Sequence, residues 1–124
     1  MRLGTVVVLA ALLSGCGKAQ PTTAGGKPVG YWVEALHDRD ARLRKKAAFK
    51  LGNVGSADAA AFPALLGALQ DTDAGVRCEA ILALVKFGAA AREAIPALAA
   101  ATKDRDAKVR AYAAKAVTAI EGNP

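Results

Sequence analysis

This 124-residue chain has one histidine, two cysteines, one methionine, one tryptophan, two tyrosines and three phenylalanines. That poverty excludes much chemistry. With His37 as its sole imidazole, the chain cannot assemble the several His and Cys ligands that hold zinc or copper. No Ser/His/Asp set, paired-carboxylate cleft or glycine-rich phosphate loop is visible, so nothing marks a catalytic centre. His37 reads as a turn residue, and Glu79 and Glu93 as exposed helix residues. No cofactor is expected. The apolar run Val6-Val7-Val8-Leu9-Ala10-Ala11-Leu12-Leu13 falls well short of the about 20 residues a membrane-spanning helix needs. Alternating β-branched or aromatic residues, the mark of strands, are almost absent from residues 31–122.

What the chain has is repetition. Asp38-Arg39-Asp40-Ala41-Arg42-Leu43-Arg44 returns as Asp71-Thr72-Asp73-Ala74-Gly75-Val76-Arg77 and as Asp104-Arg105-Asp106-Ala107-Lys108-Val109-Arg110, at a constant offset of 33. A fixed period of this size marks stacked units that cannot bury their apolar faces alone. At that offset Leu43, Val76 and Val109 align, as do Ala47, Ala80 and Ala113; Leu51, Leu84 and Val117; and Val54, Phe87 and Ile120. Within the middle unit these are Val76, Ala80, Leu84 and Phe87, whose spacings of four, four and three put them on one face of a helix. Asp40, Asp73 and Asp106 precede these helices, where a carboxylate accepts from free N–H groups and favours the positive end of the dipole. Gly55 and Gly88 follow the first two, suiting a left-handed cap.

A shorter helix precedes each long one, with Trp32, Val33 and Leu36, then Leu65, Leu66 and Leu69, then Leu98 among alanines. Pro63 and Pro96, again 33 apart, suit first-turn positions. The units are therefore helix pairs, approximately 31–60, 61–93 and 94–122. The first is the least regular: Gly30 stands where the later units have proline, and Lys50 where Ala83 and Ala116 pack, which suggests a polar cap. Ankyrin units share the period but need a Thr-Pro-Leu-His-like turn, and tetratricopeptide units need a Trp/Gly/Tyr pattern; neither is present. Residues 61–84, Ala-Phe-Pro-Ala-Leu-Leu-Gly-Ala-Leu-Gln-Asp-Thr-Asp-Ala-Gly-Val-Arg-Cys-Glu-Ala-Ile-Leu-Ala-Leu, resemble HEAT repeats of the short bacterial, phycobilisome-lyase-like kind. The resemblance covers residues 31–122. It implies an all-α fold, a short α-solenoid of three helix pairs, with the long helices lining a concave side.

The N-terminus is a separate problem. Arg2, the short apolar run and small residues after it describe a secretory signal. Leu13-Ser14-Gly15-Cys16 resembles the lipobox of bacterial lipoproteins at all four positions. That resemblance implies removal of residues 1–15, a lipid on Cys16, and anchoring in the bacterial cell envelope. Gly17, where an aspartate tends to retain such proteins in the inner membrane, leans the expectation toward the outer one. With Cys16 lipidated, Cys78 has no partner for an intramolecular disulfide. Residues 16–30, rich in Gly, Pro and Thr, read as a flexible tether reaching about 20 Å.

Past the signal, sixteen Lys and Arg face eleven Asp and Glu, a modest excess that favours acidic partners or anionic lipid. Arg42, Arg44, Lys45, Lys46 and Lys50 crowd the first long helix. Nucleic acid is disfavoured, because the protein is exported and its aromatics are scattered. The ladder Asp40, Arg44, Asp73, Arg77, Asp106 and Arg110 admits two readings, a phosphate-binding row or a set of pairs stitching units together. The acidic pairs beside the arginines favour stitching.

The middle long helix is apolar all round. Val76, Ala80, Ala83, Leu84 and Phe87 fill its core face, while Cys78, Leu82 and Val85 lie opposite. Such a side is either closed over by its neighbours or open to a partner. The expectation is a non-catalytic, envelope-anchored interaction module that binds a protein along Lys45, Phe49, Cys78, Leu82, Val85, Tyr112 and Lys115. Two alternatives stand beside it. Some relatives by name are lyases or lyase chaperones that attach bilins, and the basic face could lie on lipid.

Overall fold

The computed structural model describes residues 22–122. Within them six α-helices alternate short and long: α1 Val29–Ala35, α2 Ala41–Val54, α3 Ala61–Ala68, α4 Ala74–Val85, α5 Ile95–Ala101 and α6 Ala107–Glu121. Each short helix packs on the long helix that follows it, and α4 lies between α2 and α6. The result is the short all-α solenoid that the 33-residue period predicts.

Local chemistry sets the boundaries. Asp40 accepts from Arg42 N, Asp73 from Val76 N, and Asp106 from both Lys108 N and Val109 N, so each long helix starts on a capping carboxylate. Gly55 and Gly88 sit at φ 58, a left-handed conformation that costs glycine nothing. The short 3-10 turns Gly55–Ala57 and Gly88–Ala94 then lead to the next unit. Leu51, Leu65, Val76, Ile81, Leu84, Leu98, Val109 and Ile120 fill the core and are essentially inaccessible. Ala47, Ala80 and Ala113 are fully buried at one register, where small side chains let the helices approach. The tightest approach is at Gly52, where a Cβ would lie 2.8 Å from Ala83 Cβ and 2.9 Å from Ala83 Cα.

The first unit begins earlier than its sequence suggests. Residues 22–30, read above as the end of the tether, belong to the fold. Thr23–Ala24 and Lys27–Pro28 pair as a small antiparallel hairpin, turned by Gly25 and Gly26 at positive φ. Trp32 Nε1 donates to the Ala24 carbonyl at 2.8 Å, and Ala24, Val29 and Trp32 are buried. The physical reason is the indole: a buried N–H needs an acceptor, and the hairpin supplies one. Pro28 stands at the N-cap of α1, so this unit has a proline at its start after all. Lys50 lies half-buried with its ammonium close to Gly25. The segment expected to be a signal, Cys16, and the first part of the expected tether lie outside the described residues.

Candidate functional site: the turn ladder and the long-helix face

The three arginines of the repeat occupy equivalent places at the start of the long helices, and each uses Nη1 to hold its own turn. Arg44 donates to the carbonyls of Asp38 and Arg39, Arg77 to those of Asp71 and Thr72, and Arg110 to those of Asp104 and Arg105. The other edge of the guanidinium crosses to the next unit. Arg44 Nε and Nη2 donate to the two oxygens of Asp71 at 2.9 and 3.1 Å, and Arg77 Nε and Nη2 to those of Asp104 at 2.9 Å each. Bidentate pairing of this kind fixes orientation as well as adding charge-assisted hydrogen bonds. Arg77 is 4% exposed, so its donors are committed inside the protein and unavailable to a phosphate.

The carboxylates that complete the bridges differ from those named in the ladder. Asp40, Asp73 and Asp106 cap helices, whereas Asp71 and Asp104, the first acids of their pairs, receive the arginines. Both bridges span 27 residues, but the separation from each arginine to the capping acid of the next unit is equally constant, so the repeat alone does not choose between them. Asp71 and Asp104 also accept from the backbone N–H of Asp73 and Asp106. At Asp71 burial opposes ionisation, but the Arg44 hydrogen bonds and the Asp73 N–H outweigh it and hold the carboxyl below its ordinary pKa. At Asp104 the Arg77 hydrogen bonds lead, and the pKa is again lowered. Arg110 has no carboxylate partner among the described residues.

The long-helix face divides the seven residues proposed for partner binding. Lys45, Cys78, Leu82 and Tyr112 line one open groove with Glu79, Asp106 and Lys108. Phe49, Val85 and Lys115 lie outside that lining. Leu82 and Phe49, one repeat apart, are each 44% exposed. Two corrections follow. Cys78 is buried rather than presented, because α2 and α6 flank α4 closely; burial, reinforced by Asp106, raises its thiol pKa. Val85 is half-buried against the core. The sequence reading missed Lys86, whose ammonium sits 4.6 Å above the Phe49 ring and donates to Asn53 Oδ1 at 2.8 Å. The face is therefore a narrow strip, apolar at Phe49 and Leu82 and edged by lysines.

Grooves of 250 to 520 Å³ lie along the helix seams, so volume singles out no ligand cavity. Among the described residues no group of three or more His, Cys, Asp or Glu side chains is placed to hold a metal ion. No helix among them is long and apolar enough to cross a membrane.

Repeated helix pairs joined by arginine bridges define an α-solenoid. The HEAT repeat model matches residues 31–118, and the chain belongs to that family. It is similar to a chain in the complex of CpcE and CpcF of phycocyanin lyase from Nostoc sp. PCC7120, with a TM-score of 0.67 and 28% identity over 84% of this chain and 42% of that one. Human deoxyhypusine hydroxylase, in complex with glycerol, gives a TM-score of 0.66 and 27% identity over 81% and 34%. An engineered protein gives 0.62 and 27% over 76% and 45%. This chain thus spans less than half the length of each. No curated protein matches it by sequence.

Proposed function

We propose that this chain is a non-catalytic interaction module, held at the bacterial cell envelope by a lipid on Cys16, that receives a protein partner on its long-helix face. The observation that carries the reading is the pair Phe49 and Leu82, large apolar side chains at one register of successive units and both 44% exposed. Exposed aromatic and aliphatic side chains in a polar surround are the usual anchors of protein interfaces. Lys45, which shares a groove with Leu82, and Lys86, which sits over the Phe49 ring, favour a partner with acidic residues around an apolar centre.

Anchoring and recognition are tested separately. Cys16→Ser should move the protein from the detergent phase to the aqueous phase; unchanged partitioning refutes the anchor. A photo-crosslinking residue at position 82 of the full chain, in intact cells, should yield a discrete adduct that Phe49→Asp abolishes. An adduct untouched by Phe49→Asp refutes the face.

A second reading draws on the 28% identity with a phycocyanin lyase subunit. On that reading the module serves a lyase, as a subunit or chaperone, and its partner is a bilin-bearing protein. Bilin absorbance on the purified protein, or an adduct at position 82 containing a phycobiliprotein, favours it.

A further inference from the structure

Charge marks the long-helix face as clearly as its two apolar side chains do, and together they restrict what can lie on it. Exposed charge on α2, α4 and α6 is almost all positive: Arg42, Lys45, Lys46, Lys108, Arg110 and Lys115 stand against Glu121. Glu79 is half-buried, and the short helices α1, α3 and α5 carry only Glu34. Opposite charge on a partner is what such a face would steer toward itself.

Phe49, Leu82 and Lys115 occupy one register of the three units, and all three are exposed. Because α4 lies between α2 and α6, they form a row across the long helices. Packed helices lie about 8–10 Å apart, which sets the step of that row. Cations flank it on both sides. Lys86, just past the end of α4, holds its ammonium 4.6 Å above the Phe49 ring. Lys45, one turn before Phe49, shares a groove with Leu82 and Tyr112.

The step selects the backbone that can match it. In an extended strand, side chains on one face recur at about 6.7 Å and next at about 13 Å, so the step falls between them. A polyproline chain repeats at about 9.3 Å, but such chains are taken up by aromatic-lined grooves, and Phe49 is the only aromatic in the row. An α-helix returns to nearly the same face after seven residues, a rise of about 10.5 Å. Its backbone also satisfies its own hydrogen bonds, so it asks of this face only apolar contact and charge.

We propose that the occupant of this face is one acidic amphipathic α-helix of the partner, laid across α2, α4 and α6. Large apolar residues about seven apart rest on Phe49 and Leu82, and a carboxylate about seven further on meets Lys115. Carboxylates along the two flanks of that stripe meet Lys45 and Lys86. The proposal rests on the reading of the long-helix face as the docking surface, and adds the conformation, charge and register of what docks there.

The probe is a fluorescent, alanine-based helical peptide with two leucines seven apart, a glutamate seven further on, and glutamates flanking each leucine. The full chain is presented in phosphatidylcholine nanodiscs, which carry no net charge, with empty discs as the blank. Saturable binding by fluorescence anisotropy is expected. Moving the leucines to five apart, which puts them on different faces, should weaken it at least about tenfold, as should Leu82→Asp. Lys115→Glu should weaken it about fivefold, and a peptide with lysine as its last charge should recover that loss. If circular dichroism shows that Leu82→Asp disturbs folding, the exchange at the exposed Lys115 decides the matter.

Equal binding of the two leucine spacings, or failure of the exchanged peptide to recover Lys115→Glu, overturns the proposal. An adduct from position 82 in cells that Phe49→Asp abolishes, alongside either failure, would keep the face and remove the helix. Binding of phosphatidylglycerol vesicles instead of the peptide, lost in Lys115→Glu, would assign the face to lipid and overturn the proposal too.

Discussion

Arg77 of the second unit grips both carboxylate oxygens of Asp104 in the third, at 2.9 Å each, with only 4% of its own surface exposed. Its remaining edge holds the Asp71 and Thr72 carbonyls, so one side chain ties a turn to its neighbour. Removing it would strand a carboxylate at the seam, and breaking such a pair costs about 3–5 kcal/mol. Against a total of about 5–15 kcal/mol for a domain, that is a large fraction. Arg77→Ala should therefore shift the urea midpoint strongly. Arg77→Lys should recover little, because an ammonium cannot form the two-pronged contact. A midpoint within error of the unmodified protein would remove the arginines from the account of stability.

Acid should loosen the same seams. Asp71 and Asp104 have folded pKa values below their ordinary ones, so each contributes stability that is fully present above the unfolded value near about 3.9. That contribution is lost as pH falls through the lower, folded values. Melting temperature should be nearly level from about pH 7 to 5 and drop below about pH 4. Arg77→Met should flatten the drop by releasing Asp104. An equally steep drop in the variant would place the acid sensitivity elsewhere.

The arginine bridges were half legible in the sequence. The period, the capping aspartates and the repeated arginines were plain because they are local or recur at a fixed offset. Which acid of each pair the arginine takes was not, since that depends on how far one unit is displaced against the next. Trp32 shows the same limit from another side. Its apolar bulk marked a buried helix face, but its N–H needed an acceptor, and nothing in the composition of residues 22–28 said that a glycine-turned hairpin would supply it. For Cys78 the helical wheel gave the correct angle and the wrong exposure. Flanking helices, not the wheel, decide how much of a side is covered.

Gly52 carries a packing role that the periodicity did not mark. A methyl group there would meet Ala83 Cβ at 2.8 Å and Ala83 Cα at 2.9 Å, and a backbone carbon cannot swing aside. Alanine would raise helix propensity by about 1 kcal/mol, while overpacking a tight core costs about 1–3 kcal/mol. Gly52→Ala should therefore destabilise the protein on balance despite the better helix former. Pairing it with Ala83→Gly should recover part of the loss, because the methyl group is moved rather than added. A stabilised Gly52→Ala would mean that α2 and α4 separate freely.

Leu82 and Ile81 are neighbours in α4 with opposite environments, and that contrast tests the long-helix face. Ile81 is 1% exposed and Leu82 44%. An aspartate at position 81 would bury an unpaired charge and should collapse the thermal melt. At position 82 the new carboxylate would stay in water, where surface changes usually shift stability by no more than about 0.5 kcal/mol. Leu82→Asp should thus keep its helicity and melting temperature while losing the crosslinked adduct formed from a photo-crosslinking residue at position 49. Loss of folding in Leu82→Asp would show that neighbouring side chains enclose this position. An intact fold with an undiminished adduct would move the partner to another surface.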